Sequence, residues 1–125
     1  RVAEAGSRRE RIVKSITLLE EYEADLFKYM QDQLALLPGI TLYGKAKDRT
    51  PTAYFNFAGV DGGDVYKFMA GKKVNLPAHN FYAVEVSRAL GLGDTGAIRA
   101  GIAPYTTRDD VDRLITGLSE FLSKK

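Results

Sequence analysis

The chain has 125 residues, 45% hydrophobic and 27% charged, which suits one domain with a real core and is short for an enzyme that must also build a cofactor cleft. Eighteen Lys and Arg against sixteen Asp and Glu leave a net charge of +2, with the two signs interleaved, so neither a nucleic-acid stripe nor a membrane-binding patch is expected. The absence of cysteine excludes disulfides, thiolate metal ligands and a Cys nucleophile, and no apolar run approaches the ~18 residues of a membrane span.

A cytoplasmic protein without a metal site is the expectation. The sequence opens on Arg1 and runs straight into helix, from which a missing upstream segment is expected. Residues 7–37 read as one long helix, because Ile12, Ile16, Leu19, Leu26, Met30, Leu34 and Leu37 recur at spacings of three, four and seven. Ser7 and Glu10 form its capping box, and Pro38-Gly39 ends it. A helix of this length has little of so small a domain to lean on, so its far end is expected to pack against something outside these residues.

"ITLYG" at 40–44 alternates as a short strand, and "TAYFNFAG" at 52–59 as a second, with Phe55 and Phe57 on one face and Tyr54 and Asn56 on the other. The lysine-rich "KAKDRTP" between them reads as a surface connection. Asp61 caps a short helix to about Gly71 with Val65, Phe68 and Met69 as its apolar stripe. An extended segment interrupted by Pro77 follows, then a helix in "AVEVSRALG", a glycine-rich turn, and the strand "AIRAGI". Thr107 and Asp110 form a second capping box for a final helix with Val111, Leu114, Ile115, Leu118, Phe121 and Leu122 on one face. The predicted order is αββα(β)αβα. That implies an α+β fold, a small mostly antiparallel sheet with helices mainly on one face, preceded by the long helix. Residues 1–37 are expected to form a connecting helix and 38–125 an α/β sandwich.

Arg99 is the anomaly of this pattern, a guanidinium inside a short apolar strand flanked by small residues. A fork of this kind suits a carboxylate bidentately, whereas an edge-strand arginine reaching solvent or pairing with a nearby Asp would fit as well. His79 is the only histidine, on a segment with Asn80, Phe81 and Tyr82 where a general acid or base could stand, although no nucleophile or second ligand accompanies it. "GLGDTG" lacks the strand-then-helix setting of a phosphate loop, and "TAYFNF" lacks the basic start of an RNA-binding strand.

Four segments in register, "SRRERIVKSITLLEEYEADLFKYMQDQLALLPGITLYG", "DRTPTAYFNFAGVD", "AHNFYAVEVSRALGL" and "AIRAGIAPYTTRDDVDRLITGL", resemble the C-terminal small domain of class V aminotransferases, in the cysteine-desulfurase-like branch of the fold-type I pyridoxal-phosphate enzymes. The resemblance implies that Arg99, followed by Tyr105-Thr106-Thr107, holds the α-carboxylate of an amino-acid substrate. It implies that His79, Asn80, Phe81 and Tyr82 belong to the active-site loop. Desulfurases carry a cysteine on that loop and a serine two places after the arginine, whereas this chain has no cysteine and Gly101 at the second position. A transaminase, lyase or epimerase reaction is therefore as open as desulfuration. The resemblance also implies pyridoxal phosphate and its Schiff-base lysine on a large domain preceding Arg1, no catalytic or cofactor-binding residue in this fragment, no activity of the fragment alone, and a homodimer. From the residues alone, a free-standing α+β binding or assembly module whose long helix docks a partner remains the alternative.

Overall fold

In the computed structural model, which describes residues 6–124, the elements run α1 (Arg8–Leu34), β1 (Ile40–Tyr43), β2 (Thr52–Phe57), α2 (Gly62–Gly71), β3 (Ala78–His79), α3 (Val84–Ala89), β4 (Ala97–Gly101) and α4 (Arg108–Ser123). This is the predicted order, and the segment interrupted by Pro77 supplies the short β3. Both capping boxes form: Ser7 Oγ accepts from Glu10 N–H at 3.3 Å, and Thr107 Oγ1 from Asp110 N–H at 3.3 Å. The first helix ends at Leu34, three residues before the expected Leu37. Leu36 and Leu37 instead donate to the carbonyls of Gln33 and Leu34 in a tightening turn, because Pro38 has no N–H to carry the helix on and restricts the residue before it.

The four strands form one antiparallel sheet in the order β1-β2-β4-β3. Along β2 the alternation read from the sequence holds residue by residue, with Ala53, Phe55 and Phe57 buried and Thr52, Tyr54 and Asn56 half-buried. The buried face joins Ile98 and Ala100 of β4, Leu26, Met30 and Leu34 of α1, Val65 and Met69 of α2, and Val111, Leu114 and Leu118 of α4 in a single core. Phe55 and Phe57 meet edge to face, 5.6 Å between centroids. The second half of α1 is thus part of this core. Its first half is not: Ile12, Val13 and Ile16 are 48%, 55% and 49% exposed.

Two phenols tie α1 to α4 and to the segment leading into it. Tyr22 Oη donates to the Thr106 carbonyl at 2.5 Å, and Tyr29 Oη donates to Asp112 Oδ1 at 2.5 Å while the Arg108 guanidinium lies 3.7 Å from the centre of its ring. Donation to the Asp112 carboxylate raises the Tyr29 pKa above the ordinary phenol value. The stabilisation this bond provides is therefore present below about pH 10 and lost as pH rises through the raised value. At the acid end the order reverses. Bonds from the Thr107 backbone and hydroxyl hold Asp110 below its ordinary value, the Arg88 guanidinium does the same for Asp94, and Lys72 for Glu120. Urea midpoints measured across pH should be level between about 5 and 9 and decline below about 4, where these carboxylates take up protons. A midpoint that rises on acidification would contradict these pairings.

Candidate functional site

The sheet face away from the core carries the residues that packing does not explain. Arg99 stands on β4, directly opposite Tyr54 of β2, and its backbone N–H donates to the Pro77 carbonyl at 2.9 Å. β4 lies between β2 and β3, so Arg99 is on an inner strand and the edge-strand explanation does not apply. Its side chain is exposed, and none of the ion pairs or side-chain hydrogen bonds among the described residues includes it. Its guanidinium meets an aromatic ring: the guanidinium carbon sits 4.1 Å from the centroid of Phe81.

Phe81 reaches that position from the turn after β3. Its ring meets Tyr54 edge on at 6.2 Å, and Tyr54 in turn lies 5.8 Å from Tyr43, so three rings line the face beside one unpaired cation. The Tyr54 hydroxyl is committed to the fold, accepting from Ala97 N–H at 2.8 Å and donating to the His79 carbonyl at 3.2 Å. It therefore pins β2 to the β3–β4 pair. Farther along the same face, Asn56 donates weakly to the Gly96 carbonyl at 3.5 Å, and its Oδ1 is the buried side-chain acceptor without a partner among the described residues.

His79 lies on the outer strand β3, exposed, with Nδ1 3.1 Å from Asn80 Oδ1. Asn80 Nδ2 donates to the Asp94 carbonyl at 2.8 Å, which turns Oδ1 toward the imidazole. An amide oxygen only accepts, so Nδ1 is the protonated nitrogen of the neutral ring and Nε2 keeps its lone pair. Among the described residues no carboxylate or nucleophile meets the imidazole. Its ring is 6.5 Å from Phe81. Tyr82 is fully exposed and contributes its backbone N–H to Asn80 Oδ1 at 3.0 Å.

Of the segment after β4, Thr107 is the cap of α4, Thr106 Oγ1 accepts from Ala103 N–H at 2.9 Å, and Tyr105 is largely exposed. Arg99, Phe81 and His79 are thus brought to one face, while Tyr82 and Tyr105 extend into solvent. Sequence reasoning did not assign Tyr54 and Tyr43 to this site. The alternation of "TAYFNF" already set Tyr54 opposite the core, but its pairing with Arg99 needed the strand order.

A concavity of about 1020 Å³ lies elsewhere, between α1 and the 44–51 connection. Its walls include Glu20, Glu23, Lys45 and Lys47 but none of Tyr54, Phe81 and Arg99. No three His, Asp or Glu side chains among the described residues are grouped to hold a metal ion, and no helix there is long and apolar enough to cross a membrane.

The model of the family described as aminotransferase class-V matches residues 13–114, which takes in most of α1, the whole sheet and the start of α4. The chain belongs to that family. Among curated relatives, it is 32% identical over 100 residues to a cysteine desulfurase of Pectobacterium carotovorum, a match covering 80% of this chain and 24% of that protein. The crystal structure of a cysteine desulfurase from Escherichia coli superposes with a TM-score of 0.77 at 31% identity, covering 85% of this chain and 26% of that one. A cysteine desulfurase of Thermococcus onnurineus shares the fold, with a TM-score of 0.75 at 21% identity over 82% of this chain and 26% of that one. The chain spans about a quarter of the length of the curated relatives it matches.

Proposed function

We propose that this chain is the substrate-carboxylate-binding small domain of a pyridoxal-phosphate enzyme acting on an amino acid, with Arg99 as the anchor. The observation that carries this reading is an exposed guanidinium on an inner strand with no anionic partner among the described residues and its N–H donors free. A planar fork of this kind holds a carboxylate through two parallel charge-assisted hydrogen bonds, which sets the angle at which the rest of the substrate is presented.

Pyridoxal phosphate is the cofactor the family implies, and when bound it supplies an electron sink for carbanion chemistry. It needs a lysine amine, an acid beside the ring nitrogen and a phosphate cradle. The open face offers instead a guanidinium, aromatic rings and an imidazole, while the lysines among the described residues lie on or beside α1, α2, α4 and in the 44–51 connection. These residues do not fit the cofactor; they fit the far end of a substrate. The cofactor and its lysine are assigned to a large domain of a longer protein, against which the exposed Ile12, Val13 and Ile16 of α1 would pack, in a cytoplasmic homodimer. No cysteine is present to accept sulfur, so sulfur transfer through a thiol of this chain is not part of the proposal.

In the longer protein, Arg99→Ala should weaken amino-acid binding roughly 10- to 100-fold, the loss of about 1.5–3 kcal/mol for a charge-assisted pair, with cofactor absorbance unchanged. Unaltered amino-acid affinity would refute the anchor. The 125-residue chain alone, treated with pyridoxal phosphate and borohydride, should yield no stoichiometric lysine adduct. A stoichiometric adduct would show that the chain carries its own cofactor site.

A further inference from the structure

Arginine has four rotatable side-chain bonds, and an unpaired one on an open face would ordinarily sample many of them. A contact that narrows this range for Arg99 is the ring of Phe81. The ring itself stands on unusual backbone: Phe81 and Tyr82 are consecutive non-glycine residues with left-handed φ of 53° and 66°. Side chains with a Cβ rarely adopt that conformation, and it persists where surrounding bonds determine it.

Here those bonds converge on Asn80, which is buried. Its Oδ1 accepts from Tyr82 N–H and sits beside His79 Nδ1, its Nδ2 donates to the Asp94 carbonyl, and its own carbonyl accepts from Ala83 N–H at 2.9 Å. Asp94 is gripped in turn by the Arg88 fork, Nε to Oδ1 at 2.7 Å and Nη2 to Oδ2 at 3.1 Å. These bonds hold the backbone on both sides of Phe81, at Asn80 and at Tyr82 and Ala83, and so set where its ring stands.

Resting on the reading of Arg99 as the carboxylate anchor, we propose that Phe81 is a positioning residue for Arg99. Its ring holds the guanidinium over the open face in the orientation that receives the carboxylate. An aromatic face attracts a cation without consuming its N–H donors, so Arg99 can be oriented and still present its whole fork. An acidic partner would orient the arginine equally well but would compete with the substrate for it.

The test combines two measurements. By NMR on this chain, the Arg99 Hδ and Hε resonances should be shifted upfield by the ring, lose that shift in Phe81→Leu and keep it in Phe81→Tyr. In the longer protein, affinity for the tightest-binding member of a panel of L-amino acids should fall about five- to tenfold in Phe81→Leu and recover in Phe81→Tyr. Phe81 is only half-buried, so the leucine variant is expected to fold, which the amide spectrum checks. Absence of the ring shift in the wild type overturns the positioning role. So does unchanged amino-acid affinity in Phe81→Leu when Arg99→Ala does weaken binding. If Arg99→Ala binds amino acids as tightly as wild type while the ring shift is present, the anchor reading itself fails, and this inference with it.

Discussion

Replacing Gly96 with alanine should cost about 3 kcal/mol of stability and separate the two halves of the site. A Cβ at this position would lie 2.3 Å from both the carbonyl carbon and oxygen of His79 and 2.4 Å from the backbone nitrogen of Asn80, on a residue whose φ is +77°. The left-handed backbone costs an L-residue ~1–2 kcal/mol and forced overpacking ~1–3 kcal/mol. Backbone cannot step aside as a flexible side chain can, so β3 and the 80–83 turn would have to move away from β4. With a urea slope of about 1–3 kcal/mol per molar, the midpoint should fall by a molar or more. The Phe81 contact with Arg99 should be lost with it. A wild-type midpoint for Gly96→Ala would mean that the His79–Asn80 backbone does not cross there.

Truncating Phe55 to alanine should be at least as damaging, by about 3–5 kcal/mol, through loss of buried area and the cavity left behind. Phe55 is wholly buried at the centre of β2, against Phe57 on one side and the helices on the other. Ile12→Ala on the bare half of α1 should cost within about 0.5 kcal/mol in this chain, because Ile12 is nearly half exposed. Equal losses for the two variants in urea titrations would contradict the placing of Ile12 outside the core that buries Phe55.

Much of the secondary structure is legible in the residues themselves. Ser7 with Glu10 and Thr107 with Asp110 announce helix starts because a short polar side chain and an acid three residues later satisfy each other's backbone donors locally. "TAYFNF" announces which side chains share a face because the strand period is two. Helix ends were less legible, as at Leu34, where the geometry ahead of Pro38 took the last turn out of the helix.

The family, too, was readable from four segments in order, since a likeness of sequence is a property of the chain and needs no coordinates. What the residues by themselves determined, then, is the order of elements, the face each side chain takes, the kinship, and an arginine without an obvious structural purpose. Only the tertiary structure decided that Arg99 lies on an inner strand across from Tyr54, that Phe81 meets its guanidinium, and that Asn80 holds that ring in place. The physical reason is range. Caps and alternation are set within a few residues, whereas strand order and the left-handed turn at Phe81 and Tyr82 depend on bonds between distant segments, such as Tyr54 to His79 and Asn80 to Asp94, which no local pattern specifies.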